Sequence, residues 1–202
     1  DDSYKVEHSN KNRKGGLGEI VEERHFHYKA DSDSRPDFPK AGIELKVTPF
    51  KINKNGSTSS KERLIISMIN YHDIVNMEFE TSNAWEKMNL ILLVYYLWSP
   101  DIESRLDYRI EHVYLYHPPE KDLKIIRNDF EIIKKKVLEG RAHELSEGDT
   151  LYLGAATKAA SSKDRRTQPF SDELAKPRAF SLKNSYMTYL LNNYIMEGRV
   201  LY

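Results

Sequence analysis

The sequence predicts an α/β domain, because segments with the pattern of strands and segments with the pattern of helices follow one another along its 202 residues. Residues 42–48 alternate apolar and polar side chains with a period of two, which is typical of a half-buried strand. Residues 89–98 form an apolar run that predicts a buried strand. Apolar side chains recur at helical spacing within residues 122–138, at Leu123, Ile126, Phe130, Ile133 and Val137.

The other elements follow from the same patterns and from Pro, Gly and Asn at the turns. In the first half they are a helix over 17–28, a Pro-containing turn over 31–40, a hairpin-type turn at Asn55-Gly56, a strand over 63–70 and a mostly helical segment over 72–88. In the second half they are strands over 90–98 and 108–116, the helix over 122–138 that Gly140 ends, a short helix over 141–147, strands over 151–156 and 179–182, and a closing helix over 185–196.

Composition excludes several classes of function. The chain has no cysteine, which rules out disulfides and thiolate metal sites and suits a reducing cytosol. No apolar run reaches the length that spans a membrane, and neither a phosphate-binding P-loop nor a serine-hydrolase elbow is found. The length suffices for one full core, so we expect a single domain over residues 1–202. Because the sequence opens without an initiator Met, we expect a fragment of a longer chain with a further C-terminal domain.

The most informative pattern is Asp37, followed seven residues later by Glu44-Leu45-Lys46. Residues two apart on a strand point the same way, so Glu44 and Lys46 share one face of the strand at 42–48. Asp37 lies in the proline-bounded turn just before, where the backbone can fold back on the strand end. Two acids and a base are therefore expected side by side.

This arrangement suits Mg²⁺, which prefers oxygen ligands and keeps several waters, so that one or two carboxylates suffice. Asp37 and Glu44 would supply them, while Lys46 would orient the attacking water or stabilise charge on the transition state. The two carboxylates would repel one another until a cation arrives. A solvated strand face would carry the same residues, so the spacing alone leaves both interpretations open.

Further fragments run in order over nearly the whole chain and resemble one known family. They are KGGLG at 14–18, DSDSRPD at 31–37, AGIELKVTPF at 41–50, SKERL at 60–64, FETS at 79–82, AHELSEG at 142–148, QPFSD at 168–172 and RAFSLK at 178–183. The resemblance is to the MutH family of endonucleases directed to GATC. The likeness is closer to the N-terminal, catalytic half of the restriction-type member than to the mismatch-repair nicking enzyme.

The resemblance implies a restriction-endonuclease-like PD-(D/E)XK fold, with a mixed central sheet flanked by helices and two lobes forming a DNA cleft. It implies Mg²⁺-dependent cleavage of the DNA phosphodiester 5′ to the G of GATC. It also implies a catalytic set, of which the three carboxylates would bind the metal: Glu22, Asp37, Glu44, Lys46 and Lys87.

The expected DNA contacts lie in a basic segment. Residues 158–183 hold seven Lys or Arg and three acids, although the whole chain has 31 of each and no net charge. By resemblance Thr157 and Lys158 fall in the segment that reads bases, and lysine to guanine is a common major-groove contact. Ser181 stands where the repair enzyme has a tyrosine implicated in sensing adenine methylation, so we expect tolerance of N6-methyladenine. The remaining predicted contacts are Lys163, Arg165, Arg166, Arg178 and Lys183.

The expected partner is double-stranded DNA containing GATC, with a second domain or dimerisation on DNA and with no membrane or nucleotide cofactor. We expect a cytoplasmic, prokaryotic type II restriction endonuclease. One alternative is a mismatch-repair enzyme that nicks hemimethylated GATC, against which Ser181 argues. The other is a non-catalytic DNA-binding module with a structural acidic cluster, against which the intact Asp37, Glu44 and Lys46 argue.

Overall fold

The computed structural model describes residues 16–28 and 35–198. Its helices are α1 (Gly16–Arg24), α2 (Tyr71–Ile74), α3 (Asn83–Met88), α4 (Glu120–Leu138) and α5 (Asn184–Leu190), which continues as a π turn over Leu191–Ile195. Its strands are β1 (Glu44–Ile52), β2 (Thr58–Ser60), β3 (Leu64–Met68), β4 (Ile91–Leu97), β5 (Ile110–Tyr116), β6 (Leu153–Thr157), β7 (Arg166–Gln168), β8 (Ser171–Ala175) and β9 (Arg178–Leu182). Single 3-10 turns occur at Phe79–Thr81, Arg105–Asp107, Ala142–Glu144 and Glu147–Asp149.

The strands form a mixed sheet, an antiparallel sheet and a hairpin. The mixed sheet has the order β2-β1-β4-β5, in which β1 and β4 are parallel and the other pairs are antiparallel. The register places Glu44 opposite Ile91 and Lys46 opposite Leu93. The second sheet has the order β3-β9-β6, and β7 pairs with β8. This confirms the predicted α/β class with a mixed sheet.

One continuous hydrophobic core joins the two larger sheets. Helix α4 buries its apolar stripe completely, as the spacing of Ile126, Phe130 and Ile133 predicts. Phe130 stacks on Phe180 of β9, with ring centroids 5.4 Å apart. A second, smaller cluster packs α1 on the other face of the mixed sheet, through Val21, Leu45 and Val94. The start of β1 is therefore covered on both faces.

That double coverage corrects one prediction. The alternation in residues 42–48 predicted a strand with one solvated face, but the side chains of Glu44 and Thr48 are 2% and 1% exposed. The period of two was right about which side chains share a face. It was wrong about exposure, because the polar face is covered as well.

Other predicted boundaries also shift. The first helix ends at Arg24 rather than residue 28, and His27 has a positive φ of 58°. The helical segment predicted at 72–88 is broken into α2, a 3-10 turn and α3. The prediction of a short helix at 141–147 is wrong, because two 3-10 turns lie there instead. The basic segment at residues 158–183 contains the hairpin β7-β8, which was not predicted. Residues 31–34 of the predicted turn at 31–40 lie outside the described residues.

A buried carboxylate joins α4 to the start of β6. Asp129 is 1% exposed, and its two oxygens accept hydrogen bonds from the backbone N–H groups of Leu151, Tyr152 and Leu153 at 2.9, 2.6 and 2.9 Å. Because both oxygens have partners, the desolvation cost of the charge is compensated. This contact fixes the strand that ends at Thr157 and leads into the basic segment.

Candidate active site

A tight turn folds Asp37 onto the beginning of β1. Phe38 N–H donates to the carbonyl of Ile43 at 2.8 Å, and the turn closes through Gly42, whose φ of 66° favours glycine. The Oδ2 atom of Asp37 then accepts a hydrogen bond from the backbone N–H of Leu45 at 2.7 Å. The predicted proximity of Asp37 to the Glu44-Leu45-Lys46 strand is therefore present.

Glu44 is held between two lysines. Lys46 Nζ lies 2.6 Å from Glu44 Oε1, and Lys87 Nζ lies 3.4 Å from the same oxygen. Lys87 arrives from α3, whose N-terminus is capped by the Ser82 hydroxyl accepting from Trp85 N–H at 3.2 Å. The other oxygen, Oε2, is buried and has no hydrogen-bond partner among the residues that the structure describes.

The electrostatics couple Glu22 of α1 to the same site. Burial raises the pKa of Glu22, and the negative charge of Asp37 raises it further. Burial likewise raises the pKa of Asp37, and the charge of Glu44 adds to the rise, although the hydrogen bond from Leu45 N–H opposes it. Glu22 and Asp37 are therefore harder to ionise than free carboxyl groups, mainly because they are buried and partly because of neighbouring negative charge.

The carboxylates do not form a closed metal cage. Among residues 16–28 and 35–198, no group of three or more His, Asp or Glu side chains is close enough to hold an ion. The donor set nevertheless fits a hard divalent cation, since it offers carboxylate oxygens only and Glu44 Oε2 is buried without a partner. An open set of this kind suits an ion that keeps part of its water shell.

A cleft leads from this site to the basic segment. It has a volume of about 480 Å³, lies between β1 and β3, and is lined by both Lys46 and Lys158. Arg63, which precedes β3, lines the same cleft. The sequence does not mark Arg63, because an isolated arginine beside Glu62 has no distinguishing pattern. Its place in the fragment at residues 60–64 was the one available signal.

The predicted DNA contacts divide into two groups. Thr157, Lys158, Lys163, Arg165 and Arg166 are exposed. The other three side chains are engaged within the protein: Arg178 Nη1 donates to Ala155 O at 3.0 Å, Lys183 Nζ donates to Glu147 O and Thr150 O at 2.7 Å each, and Ser181 is fully buried with its hydroxyl 3.5 Å from Gly154 O. In this structure Ser181 therefore has no surface that a base can touch.

No helix in the described part of the chain combines the length and apolarity needed to cross a bilayer.

Residues 26–129 match the family model described as DNA mismatch repair enzyme MutH. The chain is similar to the type II restriction enzyme Sau3AI of Staphylococcus aureus, with 47% identity over 188 residues that cover 92% of this chain but 38% of that enzyme. It is also similar to the DNA mismatch repair proteins MutH of Shewanella woodyi, at 28% identity, and Vibrio campbellii, at 27%. Those matches cover 90% and 92% of this chain, and 78% and 81% of the repair proteins.

Proposed function

This chain belongs to the MutH family, and we propose that it is the catalytic domain of a type II restriction endonuclease that hydrolyses the DNA phosphodiester 5′ to the G of GATC. Membership implies a restriction-endonuclease-like fold, with which the mixed sheet of the structure agrees. Enzymes of these families use divalent metal ions, and we propose Mg²⁺ as the ion used here. The restriction relative is preferred over the repair relatives because its identity is higher, 47% against 28%, over a similar share of the chain.

One observation carries the proposal. The buried Glu44 carboxylate keeps Oε2 without a partner, while Lys46 and Lys87 approach Oε1 and Asp37 lies beside the same strand. A module that only binds DNA gains nothing from acids placed beside phosphates, since like charges repel. A metal-dependent nuclease needs such acids together with a cation, which favours catalysis over simple binding.

Each side chain has a distinct role in this proposal. Asp37 and Glu44 would hold the metal, with Glu44 contributing its open oxygen. Glu22 would join them after a side-chain rearrangement, because no three carboxylates of the described residues are close enough together to hold an ion in this structure. When bound, a divalent ion supplies a water of lowered pKa and positive charge at the phosphate. The ammonium groups of Lys46 and Lys87 donate hydrogen bonds to oxygens of the scissile phosphate and stabilise the negative charge that develops there.

The duplex would enter the cleft between β1 and β3. On this proposal the mixed sheet and the β3-β9-β6 sheet form the two lobes of the DNA cleft, and Lys158 reaches a guanine in the major groove. Lys163, Arg165 and Arg166, which are exposed in the basic segment, contact phosphates. GATC is palindromic, so cutting both strands needs a second catalytic centre or a second binding event, through dimerisation on DNA or a further domain.

Plasmid cleavage tests the proposal. We expect the protein to linearise and fragment a plasmid containing GATC in Mg²⁺ but not in EDTA, with breaks mapped 5′ to each G. We also expect adenine-methylated plasmid to be cut, since Ser181 lacks the aromatic ring of the repair enzyme. A cut restricted to one strand of hemimethylated sites would instead identify a nickase. Selective GATC binding without any cleavage would indicate a catalytic lobe that needs a further domain or partner, or else a DNA-binding module.

A further inference from the structure

The cleft between β1 and β3 contains a cation that the proposed mechanism does not use. Arg63 lines the cleft together with Lys46 and Lys158, and its side chain is 43% exposed. Its guanidinium forms an ion pair with Glu147 through Nη1 and Oε1. Thus an arginine in the cleft is held by an acid from a distant turn, 84 residues along the chain.

The acidic partner sits on an anchored turn. Lys183 Nζ donates to the carbonyl of Glu147 at 2.7 Å, and Ser146 N–H donates to Asp149 at 2.8 Å in a capping box. Lys136 adds a 2.8 Å ion pair to Asp149. These three contacts fix the backbone around Glu147, whereas the side chain of Arg63 is long and half-exposed. If one member of the pair moves, it is the arginine.

We propose that Arg63 is a DNA-phosphate contact. In the free protein it forms an ion pair with Glu147, and it exchanges this carboxylate for a backbone phosphate when the duplex enters. The inference rests on the proposed function, because the phosphate comes from the DNA substrate. A guanidinium presents paired N–H donors that match phosphate as well as carboxylate. Exposed ion pairs are weak, so the exchange is inexpensive, and Glu147 lowers the attraction of the empty cleft for other anions.

A second arginine pair provides a matched control. Arg127 on α4 lies 2.6 Å from Glu80, with side-chain exposures of 40% and 52%, compared with 43% and 32% for Arg63 and Glu147. Arg127 does not line the cleft between β1 and β3. The two arginines therefore have similar local environments and differ in whether a duplex in that cleft would reach them.

The test is the salt dependence of binding of a GATC duplex in EDTA, followed by fluorescence anisotropy. Arg63→Gln should weaken binding about tenfold and reduce the slope of log affinity against log salt by about 0.9, the value for one lost phosphate contact. Glu147→Gln should tighten binding about two- to fivefold. The double variant should bind like Arg63→Gln alone, and Arg127→Gln should bind like wild type.

The outcomes separate the two proposals. If wild type neither binds the duplex nor cleaves it in Mg²⁺, the proposed function fails and this inference fails with it. If wild type cleaves but binds too weakly in EDTA, the salt dependence of its cleavage rate below saturation in Mg²⁺ gives the same comparison of variants. If wild type binds but Arg63→Gln keeps its affinity and salt slope, the inference alone is overturned. It is also overturned if Glu147→Gln tightens binding equally in the Arg63→Gln background, because the acid then acts by general repulsion. Thermal unfolding of each variant at the wild-type midpoint excludes misfolding as the cause.

Discussion

Two carboxylates are buried to nearly the same degree in this protein, and they are treated in opposite ways. Asp129 is 1% exposed, and three backbone N–H groups satisfy both of its oxygens. Glu44 is 2% exposed, but two lysines crowd one oxygen while the other has no partner among the described residues. Burial alone therefore does not separate these two acids, but their hydrogen bonding does.

The difference lies in the completeness of the hydrogen bonding. A fully satisfied buried charge stabilises one conformation, as Asp129 does at the junction of α4 and β6. A buried oxygen without a partner carries a desolvation cost that the protein itself does not offset. We infer that Asp129 holds the fold and that Glu44 Oε2 is kept for a ligand. Predictions that treat the two residues in parallel test this contrast.

The largest expected effect is on cleavage by Glu44→Gln. The amide keeps the shape of the side chain but loses the charge that binds the metal, so the rate should fall by at least about 10³-fold. GATC binding should be retained, since the repulsion of phosphate decreases. Single-turnover cleavage and anisotropy of the same preparation measure both quantities. Cleavage within tenfold of wild type would remove Glu44 from the active site.

The two lysines beside Glu44 should differ in importance. Lys46 lies 2.6 Å from Glu44 Oε1 and Lys87 lies 3.4 Å from it. Lys46→Gln should therefore lower the cleavage rate by about 10²-fold, as loss of a transition-state donor does, and Lys87→Gln by about tenfold. Single-turnover rates at saturating metal give the comparison. An equal or reversed order would show that proximity to Glu44 does not rank the two groups.

Asp129→Asn should affect stability instead of chemistry. One amide NH₂ group would face backbone N–H donors, which leaves buried donors unsatisfied at a cost of about 2–3 kcal/mol. Urea denaturation should show this decrease in the free energy of unfolding, while folded protein retains most of its cleavage activity. Wild-type stability together with lost activity would invert the assignment of the two carboxylates.

The smallest expected effect concerns pH in the absence of metal. The pKa values of Glu22 and Asp37 are raised above their ordinary values of 4.5 and 3.8. When protonated, Glu22 and Asp37 therefore contribute to the stability of the folded state. This contribution is complete at pH values below the ordinary pKa values, and it is lost as the pH rises through the pKa values of the folded protein. In EDTA, this loss should lower the thermal unfolding midpoint as the pH rises from about 4. The part of the decrease that comes from this loss should be smaller in Glu22→Gln. A pH profile identical to that of wild type would separate Glu22 from the cluster.

The sequence predicted much of this site because the information was local. The spacing of Asp37, Glu44 and Lys46 placed three groups on one turn and one strand, and the structure brings them together. The position of Lys87 beside Glu44 came only from family resemblance, since it depends on where the tertiary fold places α3 relative to β1. The burial of Glu44 was missed for a related reason, because alternation identifies the polar face of a strand and not what covers it.

The second half of the chain was less predictable. The hairpin β7-β8 has strands of three and five residues with mostly polar, exposed side chains, so no periodic pattern marks it. Phe170 in its turn has a positive φ of 64°, which is uncommon for a residue other than glycine and which no local sequence pattern predicts. Ser181 was expected at the DNA surface, yet β9 is the central strand of its sheet and buries the side chain. Sheet order is a tertiary property that local patterns do not contain.

The most direct test of the contrast is the shift in thermal unfolding midpoint that Mg²⁺ produces in wild type, Glu44→Gln and Asp129→Asn. A ligand that binds only the folded state raises this midpoint. We expect Mg²⁺ to raise it equally in wild type and in the less stable Asp129→Asn, and to leave Glu44→Gln unchanged. A full Mg²⁺ shift in Glu44→Gln would contradict the claim that the open oxygen of Glu44 is kept for the metal.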